Sequence, residues 1–351
     1  MKVRGKQPGD PARAPAARAA PSGFFALRTP ALPVDEYVAW GEGLTGDLDA
    51  DVALQRARLR ALVERPEVRE ALFVASPSVW DSLPHWLEDP DGERGQKVER
   101  SLVKYVARMA TRSTPFGLFA AASVGRIGER TRLDLTGATA RRHTRLDGNY
   151  LDALCRGLLA DPAIRAGVTL RPNSSMYLAA GRWRLAESRL SGKERSYHLV
   201  AIEPDEYLAA VLERAAGGAT IAELAAHLVE RDPDIEPGEA EGYIEELITH
   251  QVLLPDLAPP VTGCEPLADI VAQLEAIPAG RPAAELLART SGALAELDAS
   301  GVGGDPARYR AVADQLASLP AEIELPRLFQ VDLVRSTPEV TLSAALVDEI
   351  A

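Results

Sequence analysis

Cysteine is scarce in this chain of 351 residues: there are two, Cys155 and Cys264, far apart in sequence. That excludes a disulfide framework and any multi-cysteine zinc site, and it fits a reducing cytoplasm. The five histidines, His85, His143, His198, His227 and His250, show no metal-ligand spacing with one another, so no structural metal is expected. No window approaches the roughly 18 uninterrupted apolar residues of a helical membrane span, and no membrane partner is expected. A nucleotide-type phosphate loop is missing too, because Gly301-Val302-Gly303-Gly304 has no following Lys-Ser or Lys-Thr. No apolar run precedes Phe24. The Ala-, Pro- and Arg-rich start, residues 1–23, therefore reads as a solvated basic tail rather than a secretory signal.

What is present is ordinary for a globular protein, with 46% hydrophobic and 26% charged residues. The length exceeds the about 250–300 residues at which single cores stop growing, so more than one domain is expected. Net charge is −12, which as an average argues against nucleic acid. The average conceals a division. Residues 91–145 hold twelve Arg or Lys against five acids, whereas residues 201–260 hold fourteen acids against Arg214 and Arg231. The two regions should meet different partners.

Hydropathy patterning predicts an extended run at 24–33, helices over 48–65 and 67–85 broken at Pro66, and a buried apolar stretch at 70–80. The clearest helix spans 97–113. Val98, Leu102, Tyr105 and Met109 form one apolar stripe, and Arg100, Lys104, Arg108 and Arg112 recur every fourth residue on the other side. Strands are expected at 118–127 and 131–135, and Asp147 is placed to cap a helix running to Leu159. Strands at 176–179, 182–187 and 196–202 precede three helices, near 204–217, from Thr220 with the capping-box partner Glu223, and over 237–250. This pattern is that of a winged helix. Helices fill 263–320 around a glycine-rich joint at 300–304, residues 327–335 form a strand, and the chain ends inside a further helix. The fold class expected is α+β, a mixed helical and antiparallel-sheet protein with an embedded winged-helix-like unit. The divisions expected are the tail 1–23, then 24–170, the winged-helix-like unit 171–258, and an incomplete region 259–351.

A row of four cations is a natural ladder for phosphates, arginine being preferred where a planar oxyanion is gripped. The same row can also be a solvated basic face near a helix C-terminus. The residues that follow bear on this choice. The run from Arg108 through Arg112, Thr114, Pro115, Phe116 and Gly117 to Phe119 resembles the signature of the lantibiotic dehydratase N-terminal, or glutamylation, domain family. FFALRTPALP (24–33), EALFVASPSVW (70–80), RLDGNYL (145–151), RPNSSMYL (171–178), PPVTGCEPL (259–267) and RLFQVDLV (327–334) follow in family order.

The resemblance implies an enzyme that dehydrates Ser and Thr in a ribosomally made precursor peptide. A hydroxyl leaves poorly, so the side chain is first esterified, with glutamyl-tRNA as the acyl-donating co-substrate and no other cofactor. Glutamate is then eliminated. The glutamylation residues fall on Arg108, Arg112, Thr114 and Asp147, with Asp332 a weaker carry-over. Arg108 and Arg112 would grip the tRNA end or the glutamate carboxylate, Arg100 and Lys104 would contact the tRNA, and Thr114 and Asp147 would position the acceptor or the donor's amino group. The family's winged-helix unit binds the leader of the precursor. Here the leader would add as a strand along 196–202, at Tyr197, His198, Leu199 and Val200, and pack on Tyr243 and Leu247 of the 237–250 helix. A DNA-binding use of that unit is opposed by its acidic helices. Family enzymes extend well past the end of this chain, so a fragment, a split enzyme with a second chain carrying the remaining regions, and a degenerate copy all stay open, as does a homodimer. The competing reading is a precursor-binding adaptor that performs no chemistry.

Overall fold

The chain begins its described structure with a strand and five helices: β1 (Phe24–Pro30), α1 (Val34–Ala39), α2 (Leu48–Glu64), α3 (Pro66–Ala75), α4 (Pro77–Glu88) and α5 (Glu93–Thr111). The computed structural model describes residues 22–135, 138–192, 194–263, 265–336 and 339–350. The expected tail, up to residue 21, and Cys264 lie outside them. Three strands follow α5: β2 (Ala120–Gly128), β3 (Arg132–Asp134) and β4 (Ala140–Leu146). The fold divides into two units, residues 1–143 with 331–351 and residues 144–330.

The second unit holds α6 (Gly148–Leu158), α7 (Pro162–Gly167), β5 (Leu170–Pro172), β6 (Tyr177–Ala179), β7 (Arg182–Ser191), β8 (Glu194–Ile202), α8 (Glu206–Ala215), α9 (Ile221–Arg231) and α10 (Pro237–Thr249). It continues through β9 (Leu253–Pro255), α11 (Pro266–Ala276), α12 (Arg281–Ala299) and α13 (Pro306–Leu316). The chain closes with β10 (Phe329–Arg335), β11 (Glu339–Ser343) and α14 (Ala344–Ile350). The result is a mixed α+β fold.

The main sheet has the order β3-β11-β2-β10-β4, with β1 pairing β2. One edge of β2 is taken by antiparallel β1 along its length. The other is shared end to end, β10 pairing in parallel at Ala121 and Ala122 and β11 at 126–128. Inward positions Ala121, Ser123 and Gly125 of β2 alternate with the exposed positions Ala122, Val124 and Arg126. Gly125 leaves room for the Phe25 ring, which an added Cβ would overlap.

Proline and serine cut the helices of the first unit. Pro66 opens α3 after the extended Arg65, and Ser76 caps α4 by accepting from the Val79 N–H, with Pro77 in the first turn. The helix expected over 67–85 is therefore two helices. Their apolar faces bury Leu72, Phe73 and Trp86 together with Leu102 and Met109 of α5. One charged pair sits among them: Glu70 of α3 and Arg142 of β4 form a salt bridge with both side chains fully buried.

The second unit has two cores. One joins Leu151, Leu154 and Leu158 of α6 to Ile270, Leu274, Leu287 and Leu316 of α11, α12 and α13. The other packs Leu185 and Leu208 with Leu224, Leu228, Ile244 and Leu253, and Val200 and Ile202 lean on it. Strands β6, β7 and β8 form an antiparallel sheet in that order, and β5 pairs with β9. Both β7 and β8 run longer than expected. Beyond the reach of β6, side chains take over the unpaired edge of β7. Ser175 Oγ accepts from the Ala186 N–H at 2.9 Å. The Gln251 amide accepts from the Ser188 N–H at 2.9 Å and donates to the Ser188 carbonyl at 2.7 Å. Gln251 does this from a left-handed backbone conformation, φ 56°, while its own carbonyl accepts from Asn173 at 2.8 Å.

Candidate functional site

Helix α5 is built as read from its pattern, with Val98, Leu102, Val106, Met109 and Ala110 buried on one face. It ends two residues early. Arg112 is its C-terminal cap, in extended conformation at φ −118°, ψ 125°, because the chain is already turning toward Thr114-Pro115, a pair that disfavours helix. Arg112 thus leaves the helical face that Arg100, Lys104 and Arg108 share.

Past the helix, Gly117 adopts φ 54° with Val74 Cγ1 only 2.9 Å from where a Cβ would stand. Any larger residue there would meet strain and a clash. The turn presents Phe116, whose ring meets Phe119 edge-on at 5.5 Å, and Phe119 in turn meets Tyr105 at 5.3 Å. Phe119 is fully buried, so this chain of rings anchors Phe116 to the core. The Arg108 guanidinium lies 4.1 Å above the Phe116 ring. That stacking holds the cation while leaving its hydrogen-bond donors uncommitted. The Arg108 Nε is buried and has no hydrogen-bond partner among the described residues.

Charge around this turn is uncompensated. In the same unit Arg56, Arg65, Arg132 and Arg142 are each paired with carboxylates. Among the described residues Arg100, Lys104, Arg108 and Arg112 have no such partner, and Arg100, Lys104, Arg112 and Thr114 are exposed. Like charges at i, i+4 cost a helix about 0.2–0.5 kcal/mol a pair. Such a row favours an anionic ligand.

Asp332 lies half-buried on β10 and is engaged by a neighbouring group. In the second unit, Asp147 caps α6, accepting from the Asn149 N–H at 2.8 Å while its own N–H donates to the Leu328 carbonyl at 2.8 Å. The cap occupies one carboxylate oxygen, so capping does not exhaust Asp147.

Strand β8 pairs with β7 alone among the described residues, leaving its other edge open. Tyr197 and Leu199 are 69% and 61% exposed. His198 and Val200 lie on the opposite face, His198 within 3.1 Å of the Ser196 hydroxyl. Tyr243 of α10 packs at the margin of the core, and burial, with the charges of Asp205 and Glu246, pushes its phenol up to about 12. Leu247 is inside that core, 7% exposed. Arg108, Arg112 and Thr114 thus gather at one turn of the first unit, and the peptide-binding candidates gather on β8 and α10 of the second. Two contributors were not singled out from sequence. Phe116, the platform for Arg108, had a readable signal as an aromatic before a glycine eight residues on, and Gln251 had none.

Residues 64–351 match the family described as "Lantibiotic dehydratase, N terminus". The chain belongs to this family. It is 26% identical over 210 residues to the subtilin biosynthesis protein SpaB of Bacillus subtilis, spanning 59% of this chain and 20% of SpaB. Its fold is similar to that of the tRNA dependent lantibiotic dehydratase MibB from Microbispora sp. 107891, with a TM-score of 0.66 at 23% identity, covering 93% of this chain and 30% of MibB. It is also similar to the glutamylation domain TbtB from thiomuracin biosynthesis bound to 5'-phosphodesmethylglutamycin, with a TM-score of 0.56 at 21% identity over 84% of this chain and 35% of TbtB. This lantibiotic dehydratase N-terminal chain therefore spans between a fifth and about a third of the lengths of these relatives. Among its described residues, no group of three or more His, Cys, Asp or Glu is arranged to hold a metal ion. No described helix is long and apolar enough to cross a membrane.

Proposed function

We propose that this chain supplies the front of a glutamyl-tRNA-dependent site that esterifies Ser and Thr of a precursor peptide in the cytoplasm, ahead of elimination to dehydroamino acids. The observation that carries the reading is the turn after α5, where Arg108 is stacked on Phe116 beside exposed Arg112 and Thr114, neither of which has a side-chain partner among the described residues. Phosphates of a tRNA end would be gripped along Arg100, Lys104 and Arg112. Arg108, held in place in advance, would stabilise the oxyanion that develops in acyl transfer. Thr114, Asp147 and Asp332 would position acceptor and donor. MibB is described as tRNA dependent and TbtB as a glutamylation domain, which supports this reading.

Residues 171–258 are proposed as a winged-helix-like unit that takes the leader of the precursor along β8, with Tyr197, His198, Leu199 and Val200 in the pairing strand and Tyr243 and Leu247 beneath it. The open edge of β8 and its exposed Tyr197 and Leu199 support this role. They also favour the second reading, a peptide-binding adaptor without chemistry.

A salt-dependent titration against glutamyl-tRNA separates the two. Wild-type binding that weakens steeply with salt and disappears in Arg108→Ala/Arg112→Ala supports the transferase reading. No binding at low salt would leave the adaptor.

A further inference from the structure

Strand β1 lies at the margin of the main sheet and pairs with β2 alone among the described residues. Two bonds at its ends, from the Ile127 N–H to the Gly23 carbonyl and from the Ala31 N–H to the Phe119 carbonyl, fix which residues face β2. Odd-numbered residues from 23 to 31 exchange bonds with β2, so Phe24, Ala26 and Arg28 turn their N–H and carbonyl groups to the free edge. The edge of β7 is clasped by Ser175 and Gln251; among the described residues no side chain does the same for β1. Pro30, which has no N–H, ends the free stretch.

Phe25 and Leu27 share the inward face with Gly125 and Ser123, yet they stay half-buried, as apolar edge residues do where no further strand covers them. On the outer face Phe24 is 56% exposed and Val124 69%, and Ala26 lies beside Val124.

The order of these side chains is self-complementary. When two β1 strands pair antiparallel about a twofold axis at Ala26, each Ala26 meets its own copy and each Phe24 meets the partner's Arg28. On the outer face every Phe24 ring then has a guanidinium beside it, a cation–π pair. Val124 and Ala26 continue into the partner's Ala26 and Val124 as one apolar row. On the inner face Phe25 stands opposite the partner's Leu27, which completes the burial of both. No like charges are opposed. A shift of two residues either way leaves Arg28 without a ring, so the register is specified.

We infer that the free edge of β1 is the interface with a second copy of this chain, the two main sheets joining through antiparallel β1 strands centred on Ala26. This pairing does not depend on the proposed function.

The test is sedimentation equilibrium of the full chain over a concentration series, for wild type, Ala26→Lys and Ala26→Glu. Ala26 is exposed, so both variants should melt as wild type does. The expected result is a reversible wild-type dimer. Each variant alone should associate about tenfold or more weakly, because like charges then face each other across the axis. An equimolar mixture of the two variants should recover the dimer, with Lys meeting Glu. A wild-type chain that stays monomeric throughout the series, or a dimer indifferent to Ala26→Lys, would overturn the interface. Association lost in both variants and not recovered by mixing them would overturn the twofold pairing at Ala26.

Discussion

The buried pair of Glu70 and Arg142 makes the sharpest stability prediction. Both side chains are fully shielded from water, and they lie in the same unit, on α3 and β4. In Glu70→Ala the Arg142 guanidinium, which cannot shed its proton, loses its buried Glu70 carboxylate partner. Removing one partner of such a pair costs about 3–5 kcal/mol, a large part of the about 5–15 kcal/mol that holds a domain together. At roughly 2–4 °C per kcal/mol for units of this size, melting should fall by about 6–20 °C. Replacing both partners, Glu70→Met with Arg142→Leu, removes both buried charges and should restore stability to within about 1 kcal/mol of wild type or exceed it. The assay is urea unfolding followed by tryptophan fluorescence in a Trp183→Phe background. That change confines the signal to Trp40, Trp80 and Trp86, all in the first unit. A loss under about 1 kcal/mol in Glu70→Ala, or a double variant no better than the single, would refute the reasoning.

Four further outcomes are expected. Each of Arg100→Ala, Lys104→Ala and Arg112→Ala should flatten the log–log salt dependence of tRNA binding by about 0.7–0.9 if its cation meets a phosphate; an unchanged slope counts against that residue. Phe116→Leu keeps bulk but removes the ring beneath Arg108 and should weaken Arg108-dependent binding by about 0.5–2 kcal/mol, measured by titration beside Arg108→Ala. Burial raises the Cys155 thiol from 9.0 to about 12 and the Tyr150 phenol from 10.0 to about 12. Groups raised on folding stabilise fully below their unfolded values and lose that contribution as pH climbs, so denaturant stability of the second unit should fall between about pH 9 and 12, less steeply in Cys155→Ala. Gln251→Gly relieves the left-handed backbone but removes the amide contacts to Ser188; hydrogen exchange at the Ser188 amide should quicken, and no change would show that the clasp does not hold β7.

Much of this fold was readable locally. The stripe of α5, the capping box of Thr220 and Glu223 and the cap at Asp147 all depend on residues within a few positions of one another, and each formed. The motif also located Arg108, Arg112 and Thr114 at the end of a helix. What escaped is tertiary. The exit of Arg112 from the helical face depends on the turn that packs Phe116 onto Phe119, and periodicity extrapolates through it. Glu70 and Arg142 meet across 72 positions, and Gln251 reaches Ser188 across 63. No window of sequence contains either pair. Glu70 could have drawn notice as the one charge opening the apolar stretch 70–80, but nothing named its partner. The lengths of β7 and β8 were underestimated because exposed Ser, Arg and Glu residues at their turn carry no alternation.

The side-chain clasp on β7 has a consequence for how the small sheet can associate. Sheets grow at whichever edge offers unused N–H and carbonyl groups, and a sheet open on both sides can polymerise as readily as it can recognise. Ser175 and Gln251 occupy the edge positions of β7 beyond β6, and β6 itself is three residues long. On that side only the three residues of β6 remain for pairing, whereas β8 offers nine. A visiting strand therefore finds its longer platform on β8, and the clasp shortens the opposite side, where stacking would turn recognition into aggregation.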